Sequence, residues 1–420
     1  MPAAPPSPRL AIVLSHATQY YAPWFRWLRA HTRLTFRVFY LDDSGLAQAH
    51  DEKFQTTFAW DVDLTTGYDW ELVENTARHP STLRFFGLKN PSLPARLENW
   101  APDAILLFGY AYRTHLRLIV RARRKKMPLL FRGDSHLLGR PAPRGLKRAL
   151  LTLLYRQFAA ITHVGAANHD YFRHHGVPAE KLFFAPHAVD AAHFDPALPA
   201  HQRSSLALRV ELGLPADTRI VLFAGKLIAQ KQPLALLEAF LALNPPKTAL
   251  LFVGDGPEKP ALLARAAAAR EDVALQFLPF ANQSEMPARY LLADLLVLPS
   301  HGPYETWGLA VNEAMHLGAP CLVSDEVGCA RDLVTDGETG WVFRAGDPVQ
   351  LCEKLAAALD ALEKNAAFIR AAVASRIAGY TYAQTSAGLL AALEAAAGSA
   401  APGAPTPNAN LPTRASALPS

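Results

Sequence analysis

The sequence predicts an α/β protein of two doubly wound, parallel-sheet domains facing a cleft. Three observations predict it. Short apolar runs of strand length alternate with helical patterns from residue 10 to residue 190. The alternation lapses, then resumes between 206 and 375. At 420 residues the chain is long enough for two domains of ordinary size.

The first domain, 10–190, opens on the run 10–14, which reads as a buried parallel strand. The runs 37–41, 104–108, 128–131 and 160–164 read the same way, because strands covered on both faces are continuously apolar. Between them, 112–126 has helical periodicity and ends in the basic cluster Arg121, Arg123, Arg124, Lys125 and Lys126. Residues 185–205 carry three prolines and little periodicity; they read as an interdomain connection, with the linker proper at 191–205. In the second domain, 206–375, strands are expected at 219–224, 248–253, 273–278, 295–298 and 320–324. Helices fit between them at 233–243, 257–269, 284–293 and 309–317. Residues 349–396 are rich in Ala and Leu and helical. Two such units place ligand-binding groups at the carboxyl ends of both sheets.

Composition narrows the class. Half of the residues are hydrophobic and 19% are charged, which excludes a fibre or a disordered chain. No uncharged apolar run reaches the roughly 18 residues of a membrane span. Prolines at 2, 5, 6 and 8 stand where an export signal needs an apolar helix, so none is expected. Disorder is expected in the leader 1–9 and in the tail 398–420, which holds five prolines and one charge. Cys321, Cys329 and Cys352 make no disulfide framework, and a reducing, cytoplasmic setting is expected. Residues 1–205 hold 26 Lys/Arg against 16 Asp/Glu, whereas the rest of the chain is net acidic. The basic half is either ordinary solvated surface or a face for an anionic membrane, a phosphorylated acceptor or nucleic acid.

Three segments at strand ends carry candidate chemistry. The richest is 299–320, which leaves a strand, passes a Gly/Pro loop and enters a helix near Thr306, Trp307 and Gly308. A helix start presents unpaired N–H groups and the positive end of the dipole, which suits a diphosphate. Glu305 beside it and Glu313 inside it can accept hydrogen bonds from sugar and ribose hydroxyls. Taken singly, Glu305 reads equally as a helix cap, and Glu313 as a solvated surface residue. The second segment is Gly225 and Lys226 with Lys231. The glycine permits a tight strand-to-loop turn, and two ammonium groups on one loop can meet a phosphate or simply solvent. The third, Gly254-Asp255-Gly256-Pro257, is alone only a turn. Together, all at strand ends in one half, they are more specific than any one of them.

These motifs, with 324–340 (Ser324 to Gly340), match a known family in order and spacing. The chain resembles retaining glycosyltransferases of the GT-B fold, family four, also called glycosyltransferases group 1, strongly over 206–395. The resemblance implies two Rossmann-like domains and a nucleotide-sugar donor, UDP- or GDP-linked, with no metal. Glu313 would hold the ribose and Glu305 the donor sugar. The amides of Trp307, Gly308 and Leu309 would face the donor, and Lys226 and Lys231 would neutralise the diphosphate. Gly225 and Gly254 would let the backbone approach, and the base would lie near Leu278 and Pro279. The last helix, 376–397, would cross back to the first domain. The acceptor would be a glycan or lipid-linked molecule, in cell-envelope polysaccharide or glycolipid synthesis, with the protein cytoplasmic or peripheral on the inner membrane face.

The first half matches less closely. Segment 15–21 has no glycine where the family often carries a pair. Asp134 and His136 follow the strand 128–131, point toward the cleft, and are expected near the acceptor or the reacting centre. Asp61 and Asp63 have the Asp-x-Asp spacing of a metal-nucleotide site but sit in the half without the donor motifs, and are set aside. No metal-ligand spacing, Walker lysine or nucleophile elbow occurs. Arg140, Arg144, Lys147 and Arg148 lead into an apolar stretch, 149–155, read as a core helix with a basic first turn; a helix lying on an anionic bilayer is the alternative. A non-catalytic nucleotide- or glycan-binding protein of the same fold is the competing function. Nucleic-acid binding ranks last, because the basic half lacks interleaved aromatic residues.

Overall fold

The structure is a computed structural model that describes residues 8–46, 49–51, 56–58, 60–270 and 273–398. Most of the expected leader and all of the expected tail beyond 398 lie outside the described residues.

Among the described residues, fifteen strands form two large parallel sheets and one small pair. The first domain contributes β1 (Arg9–Leu14), β2 (Thr35–Tyr40), β3 (Ala49–Asp51), β4 (Thr56–Phe58), β5 (Trp70–Leu72), β6 (Ala104–Phe108), β7 (Leu129–Arg132), β8 (Ala160–His163) and β9 (Leu182–Phe184). Seven of them make a sheet in the order β5-β2-β1-β6-β7-β8-β9, while β3 and β4 pair antiparallel. The second domain contributes β10 (Arg219–Ala224), β11 (Thr248–Val253), β12 (Ala274–Leu278), β13 (Leu295–Leu298), β14 (Cys321–Ser324) and β15 (Gly340–Phe343), in the order β12-β11-β10-β13-β14-β15. Each sheet reverses its strand order at its first strand, which makes both units doubly wound and leaves a crevice at the carboxyl ends.

The central strands form because they are apolar without interruption. All six residues of β11 and all four of β13 are buried, so helices must cover both faces. The expected strand positions at 219–224, 248–253 and 295–298 coincide with β10, β11 and β13. The sheet edges differ from expectation: β5, β9 and β15 are three- or four-residue strands, too short to carry a periodic signal.

Two other segments differ. The stretch expected to be linker up to 205 turns helical at Pro199–Glu211, because Pro199 occupies the first turn, where a missing N–H costs nothing. The helix Gly145–Tyr155 is not a core helix. Only Tyr155 is buried, and Leu146, Leu150 and Leu153 face solvent.

After the long helix Pro348–Ile377, the helix Tyr382–Gly398 packs against β7, β8, β9 and the helix Tyr21–His31 of the first domain. Leu389, Ala392, Leu393 and Ala396 are buried in that domain's core. The Trp24 indole donates to Ser386 Oγ (3.0 Å), and Thr385 Oγ1 donates to the Pro186 carbonyl (2.8 Å). The seat is close: a Cβ at Gly388 would stand 2.0 Å from the Phe184 carbonyl oxygen. Among the described residues, no helix is long and apolar enough to cross a membrane. Gly388→Ala should therefore lower the thermal midpoint by several degrees in circular dichroism, since the backbone it meets cannot give way cheaply; an unchanged midpoint would contradict this packing.

Candidate active site

The carboxyl ends of the two sheets enclose a cleft of about 520 Å³. The loop after β1 supplies Tyr20 and Tyr21, the loop after β7 supplies Asp134, and the chain after β9 supplies His187. The second domain supplies Gly225, Lys226 and Lys231 after β10, Gly254 after β11, and Phe280, Ala281 and Gln283 after β12. Residues 304–310 and Glu313 follow β13.

Glycine is required where two of these loops meet. Gly225 and Gly254 have φ of +146° and +140°, in the region L side chains rarely enter. A Cβ at Gly254 would lie 2.0 Å from the Gly225 carbonyl oxygen. The close approach leaves Lys226 and Lys231 on the cleft wall. Lys231 closes a single 3-10 turn, Ala229–Lys231, and its Nζ reaches Glu305 Oε2 at 2.6 Å. Ser300 Oγ donates to the same oxygen (3.3 Å). Both side chains of the ion pair are nearly buried, so the contact is screened far less than one in water.

The helix Leu309–His316 begins after Gly308, whose φ is +101° and which has no side-chain cap. Glu305 is therefore not the cap, and the first amides and the positive dipole end face the cleft. One turn further on, Glu313 is buried rather than solvated. Its carboxylate accepts from Tyr290 Oη (2.7 Å) and Gln283 Nε2 (3.5 Å), and the Tyr20 hydroxyl of the other domain bonds to it as well. Burial raises the Glu313 pKa, and the three donors offset part of that rise.

On the first-domain side, Asp134 Oδ2 accepts from Thr306 Oγ1 (2.8 Å) across the cleft. His187 Nε2 lies 3.9 Å from the same oxygen. The His187 ring packs between Tyr21 and Trp307. Burial, followed by repulsion from Arg132, lowers its pKa to about 3, so the ring is neutral at physiological pH. Arg132, buried at the end of β7, braces this chain by donating to the Ala185 (2.8 Å) and Pro186 (3.4 Å) carbonyls.

Two expected site residues are not among those that line the cleft. His136 does not line the cleft. Its Nδ1 accepts from the Leu138 amide (3.0 Å), which places the proton on Nε2, and that group donates to the Glu305 carbonyl (3.2 Å). It positions the Glu305 loop from behind. Leu278 is also outside the cleft, because its carbonyl still accepts the sheet bond from Gly254 N (3.2 Å); Phe280, Ala281 and Gln283 form that wall instead. Asp61 and Asp63 do not converge. Asp61 accepts from the Ser284 amide (3.1 Å) and hydroxyl of the other domain, while Asp63 accepts from the amides of Thr65 (2.9 Å) and Thr66 (3.1 Å) in its own turn. Among the described residues no cluster of three or more His, Cys, Asp or Glu side chains is arranged to hold a metal. The sequence did not mark His187, Tyr20 or Tyr290 as site residues: the histidine sits in a proline-bearing connection, and the tyrosines belong to no motif with a distinctive spacing.

Two doubly wound domains facing a cleft, with the lysines and the helix start on the second, make a GT-B fold, and solved structures agree over most of the chain. A glycosyltransferase from Rickettsia africae superposes with a TM-score of 0.70 at 14% identity, covering 93% of this chain and 98% of its own. Anabaena HepE, solved in complex with UDP, gives 0.68 at 16% identity, covering 92% and 99%. Residues 205–374, in the second domain, match the model of the glycosyl transferases group 1 family. The D-inositol 3-phosphate glycosyltransferases of Thermobispora bispora and Xylanimonas cellulosilytica are 35% and 31% identical, across 47% and 45% of this chain. The chain spans about half, 46%, of the length of each of these relatives.

The burial of Glu313 has a testable sign. A raised carboxyl pKa means the ionised form destabilises the folded state, increasingly as pH rises through the ordinary carboxylate range. Glu313→Gln keeps an acceptor for Tyr290 and removes the charge. Without ligand, the variant should melt about 2–4 °C above wild type near pH 8, with the gap closing toward about pH 4; parallel pH profiles for the two proteins would contradict this.

Proposed function

We propose that this protein is a retaining glycosyltransferase that moves a sugar from a nucleotide-sugar donor to a glycan or lipid-linked acceptor in cell-envelope glycan or glycolipid assembly. The observation that carries the reading is the convergence of Lys226, Lys231 and the amides opening the helix Leu309–His316 on one wall of the cleft, with Glu305 and Glu313 beside them. Neighbours of the same fold solved with UDP and UDP-glucose, and relatives named as glycosyltransferases, support a nucleotide-sugar donor.

In this reading the donor diphosphate lies against the lysines and the helix start. Breaking the anomeric C–O bond moves its electron pair onto a diphosphate oxygen, and preorganised cations and amides stabilise that charge as it develops. Glu313 accepts from the ribose hydroxyls. Glu305, oriented by Lys231 and Ser300, accepts from hydroxyls of the transferred sugar. The acceptor oxygen forms the new bond on the face the diphosphate leaves, and its proton passes to the departing diphosphate oxygen. Neutral His187 and Asp134 line the side from which the acceptor arrives.

A thermal-shift series with UDP, GDP, ADP and their sugars tests the donor site: one nucleoside diphosphate should raise the midpoint in a dose-dependent way, and no response to any of them would overturn the assignment. Lys231→Ala should lower donor hydrolysis and transfer by about 10²-fold or more, with Lys226→Ala as an independent check; wild-type turnover in both would refute the mechanism.

A further inference from the structure

We infer that the outer helical layer of the first domain is a docking face for an anionic lipid bilayer. The helices Arg113–Arg124 and Gly145–Tyr155 connect β6 to β7 and β7 to β8, so they lie side by side on one face of the sheet. Their inward residues, including Leu118, Ile119, Ala122 and Tyr155, share one buried cluster. Their outward residues are unusual for a solvated surface. Leu146, Leu150 and Leu153 are 76%, 58% and 57% exposed. The spacing of four and three residues puts them on one stripe of the helix, which a soluble protein normally buries. On the neighbouring helix Val120 is 50% exposed, and the loop beside it presents Leu83 (83%) and Phe86 (68%). Phe85 and Phe86 line a groove of about 660 Å³ together with Arg113, Arg117, Arg121 and Arg124.

The charge of this layer selects the occupant. Residues 111–160 contain thirteen Lys/Arg and one acidic residue, and of these Arg132, buried at the end of β7, and Asp134, which lines the cleft, do not belong to the outer layer. Arg144, Lys147 and Arg148 flank the exposed leucines, and Arg117, Arg124 and Lys125 flank Val120. Among the described residues Glu98 is the acidic partner of Arg121 and Lys125. Apolar side chains that project between cations match an anionic headgroup layer, where the leucines enter the acyl boundary and the cations meet phosphates. Nucleic acid offers nothing to the leucines, and an acidic protein surface offers little to so many cations spread over two helices and a loop. Both helices begin at the carboxyl ends of their strands, the cleft side of the domain. Docking would hold the cleft near the headgroups. That last step, the meaning for a lipid-linked acceptor, rests on the transfer reading above; the docking itself does not.

Flotation of the full chain with vesicles separates the outcomes. Phosphatidylcholine vesicles mixed with phosphatidylglycerol should carry wild type to the top of the gradient, pure phosphatidylcholine vesicles should not, and high salt should release it. Leu146→Ser/Leu150→Ser/Leu153→Ser, at exposed positions, should reduce the bound fraction at least tenfold while its melting midpoint and donor hydrolysis in solution stay those of wild type. Absence of wild-type flotation on anionic vesicles would overturn the inference, as would undiminished flotation of the triple variant. Wild-type self-association that the triple variant abolishes, without flotation, would assign the face to a second copy and overturn it as well. Because donor hydrolysis is read separately, loss of activity in wild type would count against the transfer reading and leave the docking result intact.

Discussion

A carboxylate buried where two domains meet is costly unless hydrogen bonds replace the water it has lost. Glu313 occupies that position, and the cleft is organised around satisfying it. Tyr290 and Gln283 come from the second domain and Tyr20 from the first, so the residue is served from both sides. The helix that carries it must start abruptly at Gly308 to keep its first amides toward the opening. That start in turn sets Trp307, whose indole donates to Asn312 (2.8 Å); Asn312 donates to the His187 carbonyl (3.1 Å). One buried acid thus fixes the position of a helix, an aromatic wall and the connection between the domains.

The electrostatics of the two walls differ in kind. The second-domain wall carries cations and helix-end amides, with Lys231 held against Glu305 in a nearly buried pair. The first-domain wall is polar but weakly charged. His187 is kept neutral by burial and by Arg132, and Asp134 is engaged by Thr306. Lysines therefore line one side of the cleft, while the other side offers hydrogen-bonding groups. This asymmetry follows from which loops carry lysine, not from the fold, since both sheets have the same winding.

How much of this the sequence carries depends on the physics of each element. Buried parallel strands such as β11 are apolar at every position, so their limits can be read directly. The edge strands β5 and β9 are too short, and too dependent on their neighbours, to leave a pattern. Lys231 and Glu305 are 74 residues apart, yet both follow strand ends, and that alone predicts that they meet in the crevice. A strand-end position does not give the direction of a ring: His136 lies on the expected loop but turns its Nε2 to a backbone carbonyl. The two doubly wound domains and the meeting of their strand-end loops in a cleft were legible for these reasons. His187, Tyr20 and Tyr290 were not, because their role arises from three-dimensional packing of residues that have no distinctive spacing.

The return of the last helix to the first domain has a mechanical consequence. The chain crosses the border between the lobes twice, near 185–198 on the way out and near 378–382 on the way back. The crossings are pinned together, since Thr385 donates to the Pro186 carbonyl and Gly388 rests on the Phe184 carbonyl. Two adjacent tethers act as the knuckles of a door: sliding and twisting of one lobe over the other would shear them, whereas swinging about the line that joins them leaves both intact. Asp61 reaches Ser284 of the other lobe, a contact that such a swing would have to break.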